Sequence, residues 1–143
     1  MNLEPINPPA LGPAKGYANG VLAPAGARTL CVAGQVGWDA EHRFPEARGA
    51  DGFVAQFDRA LANVLEVVTA AGGTATSIAR LTMYVTDKQL YVARQKEIGK
   101  VWRERLGRWY PAMALVEVKG LLEDLALVEL EATAYLAPPE KSS

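Results

Sequence analysis

Few residues of this chain could take part in covalent or proton-transfer chemistry. There is one cysteine, Cys31, and one histidine, His42. A zinc cluster built from Cys and His is thereby excluded, and no internal disulfide can form. A Cys–His nucleophile pair exists only if these two residues meet in space. Carboxylates are better supplied: Glu117, Glu129 and Glu131 all fall in apolar, strand-like segments. A carboxyl held at a partly dry boundary has its pKa raised, which lets it hold or pass a proton near neutral pH. Two readings of Glu129 stay open on pattern alone, a general acid or base and an exposed or salt-bridged strand carboxylate. Glu117 and Glu131 read as structural or solvated. Cys31 lies mid-strand and reads as a small buried hydrophobe. His42, between Glu41 and Arg43 in a loop, reads as a solvated side chain. Lys96, Lys100 and Arg103 form a basic helix stripe broken by Glu97 and Glu104, the pattern of a solvated face.

The elements that must position these residues follow from periodicity. Residues 1–16 hold four prolines and two glycines and read as an extended N-terminal arm. Segments 17–23 and 29–36 read as strands joined by a turn at Pro24, Ala25, Gly26 and Ala27, a hairpin. Residues 37–50 lack an apolar period and read as a loop. Asp51 is a candidate helix cap, followed by Phe53, Phe57, Leu61, Val64 and Val68 on one face, with Gly72 and Gly73 as the stop. A strand is expected over 79–86. Asp87 then caps a second helix with Tyr91, Gln95, Ile98, Trp102 and Leu106 on one stripe. Strands over 112–118 and 125–135 complete the chain, antiparallel if the turn between them is local. The simplest layout is α+β: a mixed sheet with both helices on one face.

One domain over 17–137 is expected, with the arm before it and a polar tail over 138–143. At 143 residues, 50% of them hydrophobic, the chain can bury a core without staples. A net charge of -1 argues against a generic nucleic-acid binder. No apolar run reaches the roughly 18–20 residues of a membrane span, and the N-terminus has no signal-peptide pattern, so the expected address is the cytoplasm. Strand alternation places Met113 and Leu115 on a face with Leu127 and Tyr135, away from the helices. Such a mixed apolar patch predicts an oligomer.

Several stretches carry a resemblance. They are Val32-Ala33-Gly34-Gln35, Gln56, Leu61-Ala62-Asn63-Val64 and Ala70-Ala71-Gly72. Further on come Leu81-Thr82-Met83-Tyr84-Val85-Thr86-Asp87, Tyr110-Pro111-Ala112, Val116-Glu117-Val118 and Val128-Glu129-Leu130-Glu131-Ala132. In this order the chain resembles the YjgF family, also called Rid (reactive intermediate deaminase) or endoribonuclease L-PSP. The resemblance implies a chorismate-mutase-like α+β fold, a homotrimer around a central barrel, and a small-molecule cleft at each subunit boundary. It also implies hydrolysis of 2-imino or enamine acids to 2-oxo acids and ammonia with no metal or cofactor.

The family's site carries over only in part. The resemblance matches its N-terminal aromatic to Tyr17, its Ser-Gly-Gln segment to Ala33, Gly34 and Gln35, its helix asparagine to Gln95, and its water-orienting glutamate to Glu129. Its carboxylate-binding arginine is replaced by Met113, which offers no donor. Backbone N–H groups near Ala114 and Leu115 are candidates to stabilise developing charge. Trp38 is either a stacking surface for a ligand or a residue packed under the 37–50 loop. The expected function is hydrolysis of an imine or enamine metabolite that is not an ordinary 2-imino acid. A non-catalytic metabolite-binding trimer is the alternative, and an endoribonuclease ranks last.

Overall fold

The computed structural model describes residues 1–140. The last three residues of the expected polar tail lie outside the described residues. The element order is β1 (Glu4–Ile6), β2 (Gly20–Leu22), β3 (Arg28–Val36), α1 (Gly49–Ala70), β4 (Ile78–Val85), α2 (Lys88–Ala93), α3 (Gln95–Leu106), β5 (Ala112–Glu117) and β6 (Val128–Leu136). Short 3-10 turns sit at Pro9–Leu11 and Ala75–Ser77.

The main sheet has four strands in the order β3-β6-β4-β5. β3 and β4 both run antiparallel to β6, and β5 runs parallel to β4. This is the mixed α+β sheet expected from the sequence, with two corrections to strand pairing. The expected β2–β3 hairpin does not form: β2 pairs with β1, so part of the proline-rich arm is a strand, with Pro5 opposite Val21. The turn itself is present, Ala27 N–H donating to the Pro24 carbonyl at 3.3 Å. β3 instead gives its ladder to the longer, strongly apolar β6. The last two strands are likewise not neighbours, because β4 lies between them. A parallel partner for β4 needs a long crossover, and α2 with α3 supplies it.

The helices seal one face. Phe53, Phe57, Leu61 and Val64 of α1 are wholly buried against Leu81, Val85, Val128, Leu130 and Ala134 of the sheet. Ile98, Val101, Trp102 and Leu106 of α3 complete this core. α1 starts at Gly49, two residues before the expected cap; Asp51 lies in its first turn and pairs with Arg94 at 3.1 Å. Asp87 caps α2 as expected, accepting from the Gln89 N–H at 2.9 Å. The expected single second helix is interrupted at Arg94, whose backbone (φ -131°, ψ 30°) leaves the helical region and starts α3 afresh.

The expected face assignment of β5 is overturned. Met113 pairs in register with buried Leu81, and Leu115 with Met83, so both belong to the helix-covered side. Met113 and Leu127 pack against the core. The open face carries Arg80, Thr82, Tyr84, Ala114 and Val116 instead, with Glu131 and Thr133 of β6. The patch of Met113, Leu115, Leu127 and Tyr135 therefore does not exist as one surface. The error came from joining β5 to β6 as neighbours, which misaligned their faces.

Gln56 is the one long amide in the core, 2% exposed. Its Nε2 donates to the Leu125 carbonyl at 2.9 Å, and its Oε1 accepts from the Leu127 N–H at 2.8 Å. The two bonds fix the approach of the chain to β6, and so the register of Glu129. Replacing Gln56 by leucine is expected to lower unfolding stability by about 1–3 kcal/mol, because two part-buried backbone groups lose their partner. Chemical denaturation of wild type and Gln56→Leu checks this, and a difference under about 0.5 kcal/mol would contradict it.

Candidate functional site

The sequence-predicted site residues fall into three groups. Tyr17, Gln95, Met113 and Leu115 meet along a groove beside β5. Two adjoining cavities form it, of about 230 and 190 Å³, and Gly16, Met83, Tyr91 and Met113 line both. Gln95 faces the first of these cavities, and Tyr17 and Leu115 face the second. Tyr17 is held there by its neighbour: the Ala18 N–H donates to the Pro111 carbonyl at 3.0 Å, and Ala18 bridges to Ala112. The inner wall is aromatic. The Trp102 and Tyr110 rings stack with centroids 6.1 Å apart and planes within 4°. Trp102 Nε1 donates to the Trp109 carbonyl, and Trp109 Nε1 to the Ile78 carbonyl, tying the end of α3 to the start of β4.

The second group is Ala33, Gly34 and Glu129. The β3–β6 register shifts between Val32 and Gln35, leaving Ala33 and Gly34 outside the paired ladder. Gly34 passes directly over Glu129: a Cβ there would lie 2.5 Å from Glu129 Oε1. A side chain at this position would displace the Glu129 carboxylate from where it lies, so glycine here is favoured by close approach rather than by backbone torsion. Glu129 pairs in register with Tyr84, and its neighbours Val128 and Leu130 are wholly buried, so its side chain belongs to the open face. One chain therefore places Met113 and Glu129 on opposite faces of the sheet and does not bring them together.

Trp38 stands apart in a third place. Its ring stacks on His42, centroids 3.8 Å apart and planes within 5°, and lies 5.8 Å from the Phe44 ring. Asn63 Nδ2 and Arg59 Nε both donate to the Trp38 carbonyl. Trp38 thus packs within the 37–50 loop, and it also lines a concavity of about 430 Å³ with Gln35, Arg59 and Asn63. His42 is exposed but not free in solvent: it adopts φ 61° and covers the indole. In the same loop the Arg43 backbone N–H, followed by that of Glu41, holds the Asp39 carboxyl below its ordinary range.

The open face is a shallow concavity of about 510 Å³ lined by Cys31, Arg80, Thr82, Tyr84, Val116 and Glu131, among others. Cys31 is exposed here, opposite Thr133, and not buried as the sequence suggested. Strand position alone does not say which face a residue takes. Sequence reasoning also missed the pair formed by Tyr84 and Glu131, whose hydroxyl-to-carboxylate hydrogen bond is 2.5 Å. The alternation of β4 was the available signal. Glu117, expected to be structural, accepts from the Lys88 N–H at 3.0 Å. Arg103, read from sequence as part of a solvated stripe, lines the 230 Å³ cavity with Met113 and Gln95.

A four-stranded mixed sheet with its helices on one side, a bulged β3 over a β6 glutamate, and an apolar groove at the β5 edge define a chorismate-mutase-like protein of the Rid type. The family model described as Endoribonuclease L-PSP matches residues 8–136, and the chain belongs to that family. It is 30% identical over 134 residues to the 2-iminobutanoate/2-iminopropanoate deaminase of Capra hircus, covering 92% of this chain and 85% of that protein. It is 36% identical over 81 residues to a RutC family protein of Haemophilus influenzae, a match over 57% of this chain and 62% of that relative. Among solved structures, the Rid family protein YyfB of Yersinia pestis, itself of unknown function, superimposes with TM-score 0.80 at 33% identity. That superposition covers 95% of this chain and all of the other. The YjgF gene product of E. coli superimposes with TM-score 0.64 at 27% identity, over 90% of this chain and 91% of that one.

Glu131 accepts the Tyr84 hydroxyl, which pushes that phenol above its ordinary value of 10.0. Burial and the charges of Glu131 and Glu129 act the same way, and Arg80 opposes them. A raised folded pKa means the bond's contribution is whole below the ordinary value and is lost as pH rises through the folded one. One late-titrating phase is expected in the alkaline ultraviolet titration of the folded protein. Tyr84→Phe should remove it and Glu131→Gln should move it to lower pH. A phase that survives Tyr84→Phe would assign it to another tyrosine.

Proposed function

We propose that this chain is a cofactor-independent hydrolase of a reactive imine or enamine, working in clefts between subunits of a homotrimer. The observation that carries this reading is the separation of the site's two halves. The groove of Tyr17, Gln95, Met113 and Leu115 lies by the helix-covered side of β5, and Gly34 and Glu129 lie toward the open face. A second copy apposed to the β5 edge would bring its own Glu129 to that groove. β5 is an edge strand with Leu115 39% and Val116 42% exposed, a surface that favours coverage by another subunit. In this reading Glu129 orients the attacking water and passes its proton to the leaving nitrogen. Backbone N–H groups near Ala114 and Leu115 are the proposed donors to the developing charge.

The goat relative's name supports the reaction class, and Met113 speaks against the same substrates. The resemblance puts an arginine where Met113 stands, and a methionine leaves a carboxylate at that point unpaired. An ordinary 2-imino acid is therefore not the proposed substrate. RNA cleavage, which the family's description names, is disfavoured by the net charge of -1. Among the described residues no helix is long and apolar enough to cross a membrane, and a cytoplasmic place is proposed with the metabolite substrate.

Size-exclusion chromatography with light scattering is expected to give three chain masses, and a monomer would remove the composite cleft. Ammonia release should be measured on imines with and without a carboxylate beside the reacting carbon. Turnover is expected on the latter, falling by about 10²–10⁴-fold in Glu129→Gln, the usual share of a general acid–base. Trimers that bind these compounds without ammonia release would point to the non-catalytic binding protein instead.

A further inference from the structure

The geometry points to Arg103 of α3 as an anion-binding residue, and to the cavity beside it as a site for a small amphipathic monocarboxylate. This names a substrate class for the cleft proposed above. It rests on that reading for the chemistry, whereas the binding stands on the following observations.

The cavity of about 230 Å³ between α2, α3 and β5 has apolar walls, chiefly Phe57, Met83, Trp102 and Met113, with Gln95 and Arg103 as its polar groups. Such a lining, one flat apolar slot with a few convergent donors, suits a ligand with an apolar body and a single anionic end. Arg103 makes no ion pair among the described residues. Its neighbours Arg94 and Arg105 are both engaged, with Asp51 at 3.1 Å and Asp58 at 2.8 Å. Those aspartates on α1 thus leave Arg103 as the unmatched guanidinium at the cavity.

A second observation is independent of the charge count. Gly99 stands one turn before Arg103, in the interior of α3, where glycine is disfavoured and where nothing in its backbone torsion calls for it. A Cβ on Gly99 would lie 3.2 Å from Arg103 Nη1. The guanidinium therefore lies back over Gly99, and Gly99 itself lines the same cavity. The missing side chain leaves space for the fork at the rim of the cavity, where Arg103 stays exposed to an arriving anion. Gln95, two turns before Arg103, is the other polar side chain lining the same cavity. A carboxylate there would gain a charge-assisted fork from Arg103, supplied by α3 and not by β5. The anion is then held away from the Met113 position. That fits a substrate whose carboxylate is separated by an apolar body from the carbon that reacts.

The test uses 3-phenylpropanoate and its neutral amide, 3-phenylpropanamide, titrated calorimetrically into the intact assembly. Wild type is expected to bind the acid at least about tenfold more tightly than the amide. Arg103→Gln should abolish that preference while leaving the amide's affinity unchanged. Gly99→Ala should weaken acid binding several-fold and yet raise the melting temperature, because alanine favours the helix. Glu129→Gln should keep the acid preference in full, so failure of the hydrolase reading and failure of this one are read separately. Equal binding of acid and amide, no binding of either, or a preference that survives Arg103→Gln overturns the assignment. So does a fall in assembly mass in Arg103→Gln with the preference unchanged, which would give the guanidinium to a subunit contact.

Discussion

Everything chemical in this fold is placed by the sealing of one face of the sheet. β6 and β4 are the inner strands, and their alternate residues Val128, Leu130, Leu81 and Val85 are wholly excluded from water by α1 and α3. Alternation then forces Glu129, Glu131, Arg80 and Tyr84 to the other side. No polar group can be added to the sealed face without losing a packing contact and a hydration shell together. The exception is Gln56, and it is tolerated because both ends of its amide are bonded to backbone. The groove at β5 exists because β5 is an edge strand that the helices only partly cover.

The sequence made the local elements and the core legible, and left the pairings obscure. The α1 stripe from Phe53 to Val68 has one periodicity and one structural solution. Strand pairing has several, because the three residues of β2 carry too little pattern to choose between β1 and β3. Placing β5 next to β6 was the costly step, since it put Met113 and Leu115 on the wrong side. The family resemblance nevertheless led to the residues that line one groove, Tyr17, Gln95, Met113 and Leu115, and to the contact of Gly34 with Glu129. It did not reveal Arg103, which has no counterpart in the motif and reads from sequence as one more charge on a solvated helix.

Methionine at position 113, where the resemblance implies an arginine, changes more than charge. Met113 packs against the core while lining the groove, so it also supplies apolar wall that a guanidinium would not. Together with Met83, Trp102 and Tyr110 it makes the inner end of the groove a place for hydrocarbon. This chain has hydrocarbon at the strand, with the Arg103 guanidinium on the helix that lines the same cavity. An apolar wall at the strand and a cation on the helix select for a ligand whose hydrocarbon and charge lie at different ends of the groove.

Three glycines show how the fold makes room for polar groups without opening the core. Gly34 leaves space for the Glu129 carboxylate, Gly37 lets the end of β3 lie against the Gln56 backbone, and Gly99 leaves space for the Arg103 guanidinium. None of the three has a positive φ, so each is placed by proximity and not by torsion. Glycine inside a regular element, as at Gly34 and Gly99, costs about 0.5–1 kcal/mol relative to alanine. A chain would shed such residues if local propensity alone governed them. Gly37 meets backbone and so fixes how β3 approaches Gln56, whereas Gly34 and Gly99 lie under the Glu129 and Arg103 side chains and leave those charged groups room beside the backbone.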